Sequence, residues 1–408
     1  MSKLAQLICE LCPNGVEYKS LGEIAIDIYR GFGIKRDQVS EVGTPCVRYG
    51  EIYTTYGVWF DECVSHTDVS KISGPKYFEH GDILFAITGE SVEDIAKSCA
   101  YVGQEKCLAG GDIVVLKHEQ DPKYLGYALE TTEARKQKSN GKVKSKVVHS
   151  SVPAIKDIII PVPPLPVQRE IVRILDNFTE LTAELTAELT ARKKQYEYYA
   201  AYQLSVDSRS EKYPVRPLGE FANFVYGYTD KAKETGNARF IRITDIGENG
   251  CLNQTGAKYV DLTEENKKYL LKKGDILMAR TGATYGKTLC FPDDSSAVYA
   301  SFLIRIILDN TKMLNRFYWH FAQTRLYWDQ AEKLVSTGGQ PQFNSGAISK
   351  VLVPIPPMEE QVRIVNILDR FDVLCNDLTS GLPAEIEARR KQYEYYRDRL
   401  LSFREKIS

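Results

Sequence analysis

The chain has 408 residues, 43% hydrophobic and 26% charged, the make-up of an ordinary globular protein long enough for more than one core. A formal net charge of −1 excludes a globally basic surface, so any nucleic-acid contact has to come from local patches. No run approaches the ~18 consecutive apolar residues of a membrane span, and the opening MSKLAQLICELCPNG has a Glu and no small-residue cleavage site, so a cytoplasmic protein without a membrane segment is expected.

Read in chain order, the first half opens on Leu21-Gly22-Glu23 and continues through short alternating runs such as CVRYGEIY (46–53), which predict strands separated by turns. GDILFAITGES (81–91) predicts a further strand, and PKYLGYALETTEARKQ (122–137) a helical patch. Prolines at 161–166 then stop regular structure and turn the chain. Beyond them Ile171, Ile174, Phe178, Leu181 and Leu185 alternate steps of three and four, the seam of a coiled coil. This helix contains TELTAELTAELTA (179–191), a Thr-Ala-Glu-Leu repeat, and continues through Tyr196 and Tyr199.

The second half repeats the order. Leu218-Gly219-Glu220 opens it, FIRITDIG (240–247) and GDILMARTGAT (274–284) predict strands, and RFYWHFAQTRLYWDQAEKLV (316–335) predicts a helical patch. IPVPPLPVQREIVRILDNF (160–178) returns as VPIPPMEEQVRIVNILDRF (353–371), and RKKQYEYY (192–199) as RRKQYEYY (389–396). Phe178 precedes Arg192 by 14 residues and Phe371 precedes Arg389 by 18, so the second spacer is longer. Gly381 and Pro383 should interrupt it and restart a helix with Pro383 in its first turn. The expected fold class is therefore α/β (α+β): two heads in tandem as a pseudo-dimer, joined by two long helices that form an antiparallel coiled coil. The expected boundaries are 1–160 for the first head, 161–210 for the central spacer helix, 211–353 for the second head and 354–408 for the C-terminal spacer helix.

Catalytic chemistry is hard to find. TGATYGKT (281–288) resembles a phosphate-binding loop but has Thr281 where the first glycine of that motif belongs. The Gly31-Phe32-Gly33 turn lacks the helix and acidic partner of a dinucleotide fingerprint. Val162 and Ile355 precede the Pro-Pro pairs, so neither pair belongs to an amino-methyltransferase motif. Of nine cysteines only Cys9 and Cys12 form a CxxC, and five scattered histidines do not complete a zinc site. Free thiols of a reducing cytosol, no metal and no catalytic residue are expected.

Two diverged heads, each followed by a PxPPLxxQ-like turn and a near-identical helix, resemble the specificity subunit of type I restriction–modification systems. The resemblance rests on Pro161-Val162-Pro163-Pro164-Leu165, Gln168-Arg169-Glu170-Ile171-Val172, Leu175-Asp176 and the doubled Lys-Gln-Tyr-Glu-Tyr-Tyr, and covers essentially the whole chain. The Thr-Ala-Glu-Leu units resemble the branch with such repeats in its spacer. It implies a non-catalytic subunit whose heads are target-recognition domains, each reading half of a split, asymmetric site in double-stranded DNA. It also implies two methyltransferase subunits docked on the helices, and restriction subunits joined to that core. S-adenosylmethionine, ATP and Mg would then sit on those partners. A coiled-coil adaptor whose heads bind proteins is the competing reading, and near-neutral charge favours it slightly.

A DNA-reading head needs cations for phosphate and Arg, Asn, Gln or Thr for base edges. Candidates in the first head are Arg30, Lys35, Arg36, Arg48, Thr88 and Ser91, with Lys142, Lys144 and Lys146 in the loop NGKVKSK. In the second they are Tyr226, Tyr228, Lys231, Lys233, Arg280, Thr281, Tyr285 and Lys287, with Gln340, Gln342 and Asn344 in the loop TGGQPQFN. Ile87 stands where the second head has Arg280, so that position cannot make one contact in both, and TGGQPQFN has no close match in the first half. Tyr196, Tyr199, Tyr393 and Tyr396 are expected in the seam between spacer helices or against methyltransferase helices.

Overall fold

The computed structural model describes residues 2–140, 147–204, 213–336, 338–377 and 380–406. Lys142, Lys144 and Lys146 lie outside them. Packing divides the chain into two units, residues 1–184 with 387–408, and residues 185–386. Each unit contains one head, the start of the helix that leaves that head, and the RxKQYEYY-bearing stretch of the other spacer. The expected boundaries separate heads from spacers, whereas compact packing cuts through both spacers, because a lone helix has no core of its own.

The first head is built on a five-stranded sheet. From one edge to the other its strands are Ala25–Arg30, Ile113–His118, Ile83–Ala86, Ser98–Tyr101 and Trp59–Phe60. Ile83–Ala86 and Ser98–Tyr101 are buried throughout, as strands covered on both faces must be. A second five-stranded sheet orders Val39–Ser40, Ser65–Thr67, Thr44–Val47, Cys107–Ala109 and Tyr77–Phe78. The second head has four strands in the first sheet (Ala222–Tyr226, Leu303–Leu308, Ile276–Ala279, Thr288–Cys290) and three in the second (Tyr259–Val260, Ala238–Ile241, Ala297–Tyr299).

Two expectations of continuous elements are corrected. CVRYGEIY and FIRITDIG are each half strand: Thr44–Val47 gives way to a helix at Tyr49–Thr54, and Ala238–Ile241 to a 3-10 turn at Ile243–Asp245. The cause is a local cap, since the backbone N–H of Arg48 donates to Glu51 and that of Arg242 to Asp245. Likewise each helical patch is two helices, Pro122–Leu129 with Thr132–Ser139, and Asn315–Ala322 with Arg325–Leu334. The breaks fall before Thr131 and Thr324, both N-caps.

Both heads are closed at the base by their own ends. Tyr18–Ser20 pairs antiparallel with Ile159–Pro161, and Val215–Pro217 with Leu352–Pro354. Leu21 and Leu218 of the two openers are fully buried beside these ribbons. The chain then makes its proline turn, and a glutamine from the next helix fixes it. Gln168 Nε2 donates to Pro163 O (2.7 Å) and to Gln120 Oε1 (2.8 Å), and its Oε1 accepts from Asp121 N (3.0 Å). Gln361 Nε2 donates to Pro356 O (2.9 Å) and Lys312 O (2.7 Å), and its Oε1 accepts from Leu314 N (2.9 Å). Both glutamines are fully buried.

The helices that follow are Leu165–Gln203, at 39 residues about 58 Å of helix, then Met358–Asn376 and Leu382–Leu400, with the expected interruption between and Pro383 in the first turn of the restart. Val167, Ile171 and Leu175 enter the core of the first head, and Ile364 and Leu368 that of the second. In the repeat, Leu181, Leu185 and Leu189 are half-buried, while Thr182 and Thr190 hydroxyls donate to the carbonyls four residues back. No helix among the described residues is long and apolar enough to cross a membrane.

Removing a buried carboxamide that holds three partners leaves those partners unsatisfied, at about 1–3 kcal/mol. Gln361→Ala and Gln168→Ala are each expected to lower unfolding stability by that amount in denaturant titration. Loss below ~0.5 kcal/mol for both would show that the turn holds without them.

Candidate nucleic-acid interface

In each head several of the candidate side chains stand at or just past strand ends. In the first head Arg30 ends its strand, donates Nε to Gly111 O (2.6 Å), and pairs with Asp112. Arg36 and Arg48 line a cleft of about 530 Å³ together with Gly33, Tyr49, Glu51, Gly111 and Asp112. Arg48 is tied to Glu51 at 3.1 Å, which orients it and leaves it half-buried. The structure thus brings Arg36 and Arg48 around one opening, with Arg30 bonded to two of its lining residues, Gly111 and Asp112. Lys35 is exposed beside it, its backbone N–H donating to Gln38. Thr88 lies apart, its hydroxyl 3.2 Å from His149 Nδ1 across a two-residue ladder. Ser91 accepts from Glu93 N, a local turn bond.

In the second head three distant stretches converge. The Arg280 guanidinium carbon lies 5.4 Å from the ring centroids of both Tyr226 and Phe302. Its Nε donates to Ser301 O (3.0 Å), and Nη1 reaches Gln342 Oε1 at 3.4 Å. Gln342 Nε2 donates to Thr281 Oγ1 (2.8 Å), and Tyr226 OH donates to Ser345 Oγ (2.9 Å). Gln340 is exposed, its Nε2 against Gly282. Arg280, Gln342 and Tyr226 form a braced polar face, with Phe302 as an unexpected member that is 51% exposed.

Several expected readers serve the fold instead. Thr281 is 2% exposed, so its hydroxyl supports Gln342 and cannot reach a base edge. Tyr228 stacks on Tyr269 (4.8 Å between centroids), and its hydroxyl accepts from Asn266. Tyr285 packs edge-on against Trp328 and Phe343. Lys287, 17% exposed, pairs with Glu248, while Lys233 pairs with Asp261 at the surface and stays half exposed. Asn344 Oδ1 caps the helix Ser345–Ile348 through Ala347 N, the role that Ser151 plays for Val152–Lys156. The end of the loop TGGQPQFN, Gln342-Phe343-Asn344, therefore has a structural counterpart in His149-Ser150-Ser151. Lys231 is exposed. Sequence reasoning missed Arg242, which pairs with Asp245 at 2.9 Å as Arg48 does with Glu51. The signal was present as Arg-x-x-acid directly after a strand in both halves.

The tyrosines of the doubled motif divide into two kinds. Tyr196 OH lies 3.1 Å from His320 Nδ1, and His320 Nε2 lies 2.7 Å from Asp369 Oδ1, which also pairs with Arg316. In the first unit Tyr127 OH donates to Asp176 (2.6 Å), Lys123 pairs with Asp176 (2.8 Å), and the Tyr393 ring meets Tyr127 edge-on. Burial raises the pKa of Tyr196 and pushes that of Tyr393 up to about 12. It lowers that of His320, against the pull of Asp369. Tyr196 and Tyr393 are thus interior, Tyr196 also beside Phe371 of the other spacer helix, so of the two settings expected for them the partner-facing one is corrected. Tyr199 stacks on Phe371 and Tyr396 on Phe178, at 5.7 and 5.5 Å. The outward rings are the neighbours Tyr198 and Tyr395, 67% and 59% exposed.

All nine cysteines are free, and no group of three metal-binding side chains comes together among the described residues.

The comparisons agree with this architecture. Residues 13–192 and 210–388 match the family described as Type I restriction modification DNA specificity domain. A putative type I restriction enzyme specificity subunit of Haemophilus influenzae is 37% identical over 274 residues, 64% of this chain and 68% of that protein. The EcoR124I/EcoR124II specificity subunit of Escherichia coli is 35% identical over 265 residues, 61% of this chain and 63% of that protein, so the match spans somewhat under two thirds of the latter. The crystal structure of a type I restriction–modification S subunit from M. genitalium superposes with a TM-score of 0.56, covering 95% of this chain and 96% of that one at 14% identity. A chain from a structure on complex assembly and conformational transition of the type I system gives 0.60, covering 96% and 98% at 15% identity. With the family matched in both halves, the chain belongs to the type I restriction–modification DNA specificity family.

Proposed function

We propose that this chain is the non-catalytic DNA specificity subunit of a type I restriction–modification complex, each head reading one half of a bipartite asymmetric site. The observation that carries this reading is a doubled joint under unlike heads. Gln168 and Asp176 in one half, Gln361 and Asp369 in the other, tie helix to head with the same polar logic. The ends that face outward carry different side chains. Matching joints suit two copies of one partner, and unlike ends suit two different half-sites.

In this reading the spacer helices form an antiparallel coiled coil that sets the gap, with Tyr199 on Phe371 and Tyr396 on Phe178 as its aromatic contacts. The chain belongs to the branch with Thr-Ala-Glu-Leu spacers. Two methyltransferase subunits dock on the helices, restriction subunits join them, and S-adenosylmethionine, ATP and Mg bind on those partners in the cytoplasm. The partners also share the phosphate contacts, so a net charge of −1 on the reader suffices.

The test is to co-express the chain with its methyltransferase subunit and map methylated bases. A split asymmetric motif is expected, and a stable complex that methylates nothing would leave the protein-binding adaptor as the better account. One further Thr-Ala-Glu-Leu unit between Leu185 and Thr186 adds ~6 Å of helix and a net rotation of ~40°. The rotation is close to the roughly 34–36° of one base pair, and the added length exceeds its rise of ~3.4 Å. The insertion should lengthen the gap by one base pair with both half-sites unchanged. Altered half-site bases over an unchanged gap would sink the spacer role.

Exposed tyrosines on otherwise charged helices are suited to act as anchors for a partner. Tyr198→Ala combined with Tyr395→Ala is expected to weaken methyltransferase binding at least tenfold in titration, with unfolding stability within ~0.5 kcal/mol. Unchanged affinity would place the docking surface elsewhere.

A further inference from the structure

The inference rests on the reading just proposed and concerns which bases the heads recognise. Backbone pairing aligns the heads residue by residue. Arg30 is opposite Val114 and Tyr226 opposite Ile304, while Gly31 N donates to Ile113 O as Gly227 N does to Leu303 O. Ile87 N donates to Asp112 O as Arg280 N does to Phe302 O. In this frame Arg30 corresponds to Tyr226, Ile87 to Arg280, Asp112 to Phe302, and Gly111 to Ser301. By sequence alone the two arginines are unrelated.

Their guanidinium groups nevertheless reach the same place. Arg30 Nε donates to Gly111 O at 2.6 Å, and Arg280 Nε donates to Ser301 O at 3.0 Å, the corresponding carbonyl. The first head supplies the group from its edge strand and fills the other position with Ile87, which is 5% exposed and part of the core. The second supplies it from just past Ile276–Ala279, on the far side of the central strand Leu303–Leu308, and fills the edge with Tyr226. Each fork is braced beyond the carbonyl, by Asp112 in one head and by Gln342, Tyr226 and Phe302 in the other. Glycine is required next to both sites, because a Cβ on Gly31 or Gly227 would lie 2.2 Å from Gly110 O or Ala300 O.

We propose that Arg30 and Arg280 are equivalent specificity-determining residues, each reading one guanine in the half-site of its own head. A phosphate contact needs only a mobile cation, whereas these guanidinium groups are held at Nε and braced. Nε is committed, and so is one N–H of Nη2 in Arg30 (to Asp112) or of Nη1 in Arg280 (to Gln342). Each Nη keeps a further N–H, and this remaining pair of donors matches the O6/N7 edge of guanine in the major groove. Supplying one braced group from two different strand positions keeps that contact while the surrounding side chains differ between heads.

The experiment is methylation mapping with the assembled complex carrying Arg280→Gln, Arg280→Lys, Arg30→Gln or Arg30→Lys. Each variant should relax one G·C position in the half-site of its own head, with discrimination there falling about 10- to 100-fold. The half-site of the other head is the internal control for folding and assembly and should be unchanged. Three results would overturn the proposal: an unchanged motif, relaxation at an A·T position, or uniform weakening across sequences with a shallower salt dependence, the mark of a phosphate contact. A split motif absent from the unsubstituted complex would count against the specificity-subunit reading itself, before any variant is compared.

Discussion

Gln168 and Gln361 sit where each head ends and its helix begins, and most of the architecture is referred to that point. A proline turn leaves carbonyls without intrahelical partners and removes N–H donors, so it would swing freely unless something inside bridged it. One carboxamide does so in each half. It donates to the carbonyl of the first proline of the Pro-Pro pair and to a head-loop acceptor, and it accepts a backbone N–H from the same loop. Full burial makes the bonds mutually dependent, since breaking one strands the rest away from water. The direction of the helix relative to its own head follows from this lock.

Two turns further along, Asp176 and Asp369 add a second restraint, and here the copies have diverged within one design. The first uses Tyr127 and Lys123, the second His320 and Arg316. A hydroxyl and an imidazole N–H both donate to a carboxylate, and the adjacent cation balances its charge in both. The joint tolerates replacement because the carboxylate asks only for a donor and a positive charge at the right distance. At the candidate interface the side chains differ between the heads while the backbone frame beneath them is retained.

The second unit also shows why partner-facing and interior tyrosines were confused. In Tyr-Glu-Tyr-Tyr, successive residues on a helix are ~100° apart. The motif therefore sends Tyr196 inward to His320, Tyr199 onto Phe371, and Tyr198 outward. Periodicity gives this fan of directions, but only the position of the neighbouring helix says which direction is inside.

By itself the sequence determined the duplication, the α/β heads, the long helices, the interruption at Gly381–Pro383 and the family. These are written in repeats, in 3.6-residue periodicity and in proline and glycine placement, all local properties of a chain. Arg30, Arg48, Arg280 and Gln342 were also legible as candidate DNA-contacting side chains. Tertiary structure alone decided that Thr281 is buried, that Asn344 is a cap, and that Arg30 and Arg280 supply one group to equivalent carbonyls. Those facts depend on which side chains meet across strands up to 82 residues apart in the chain. That register is set by core packing and backbone pairing, and no linear alignment of the two halves records it.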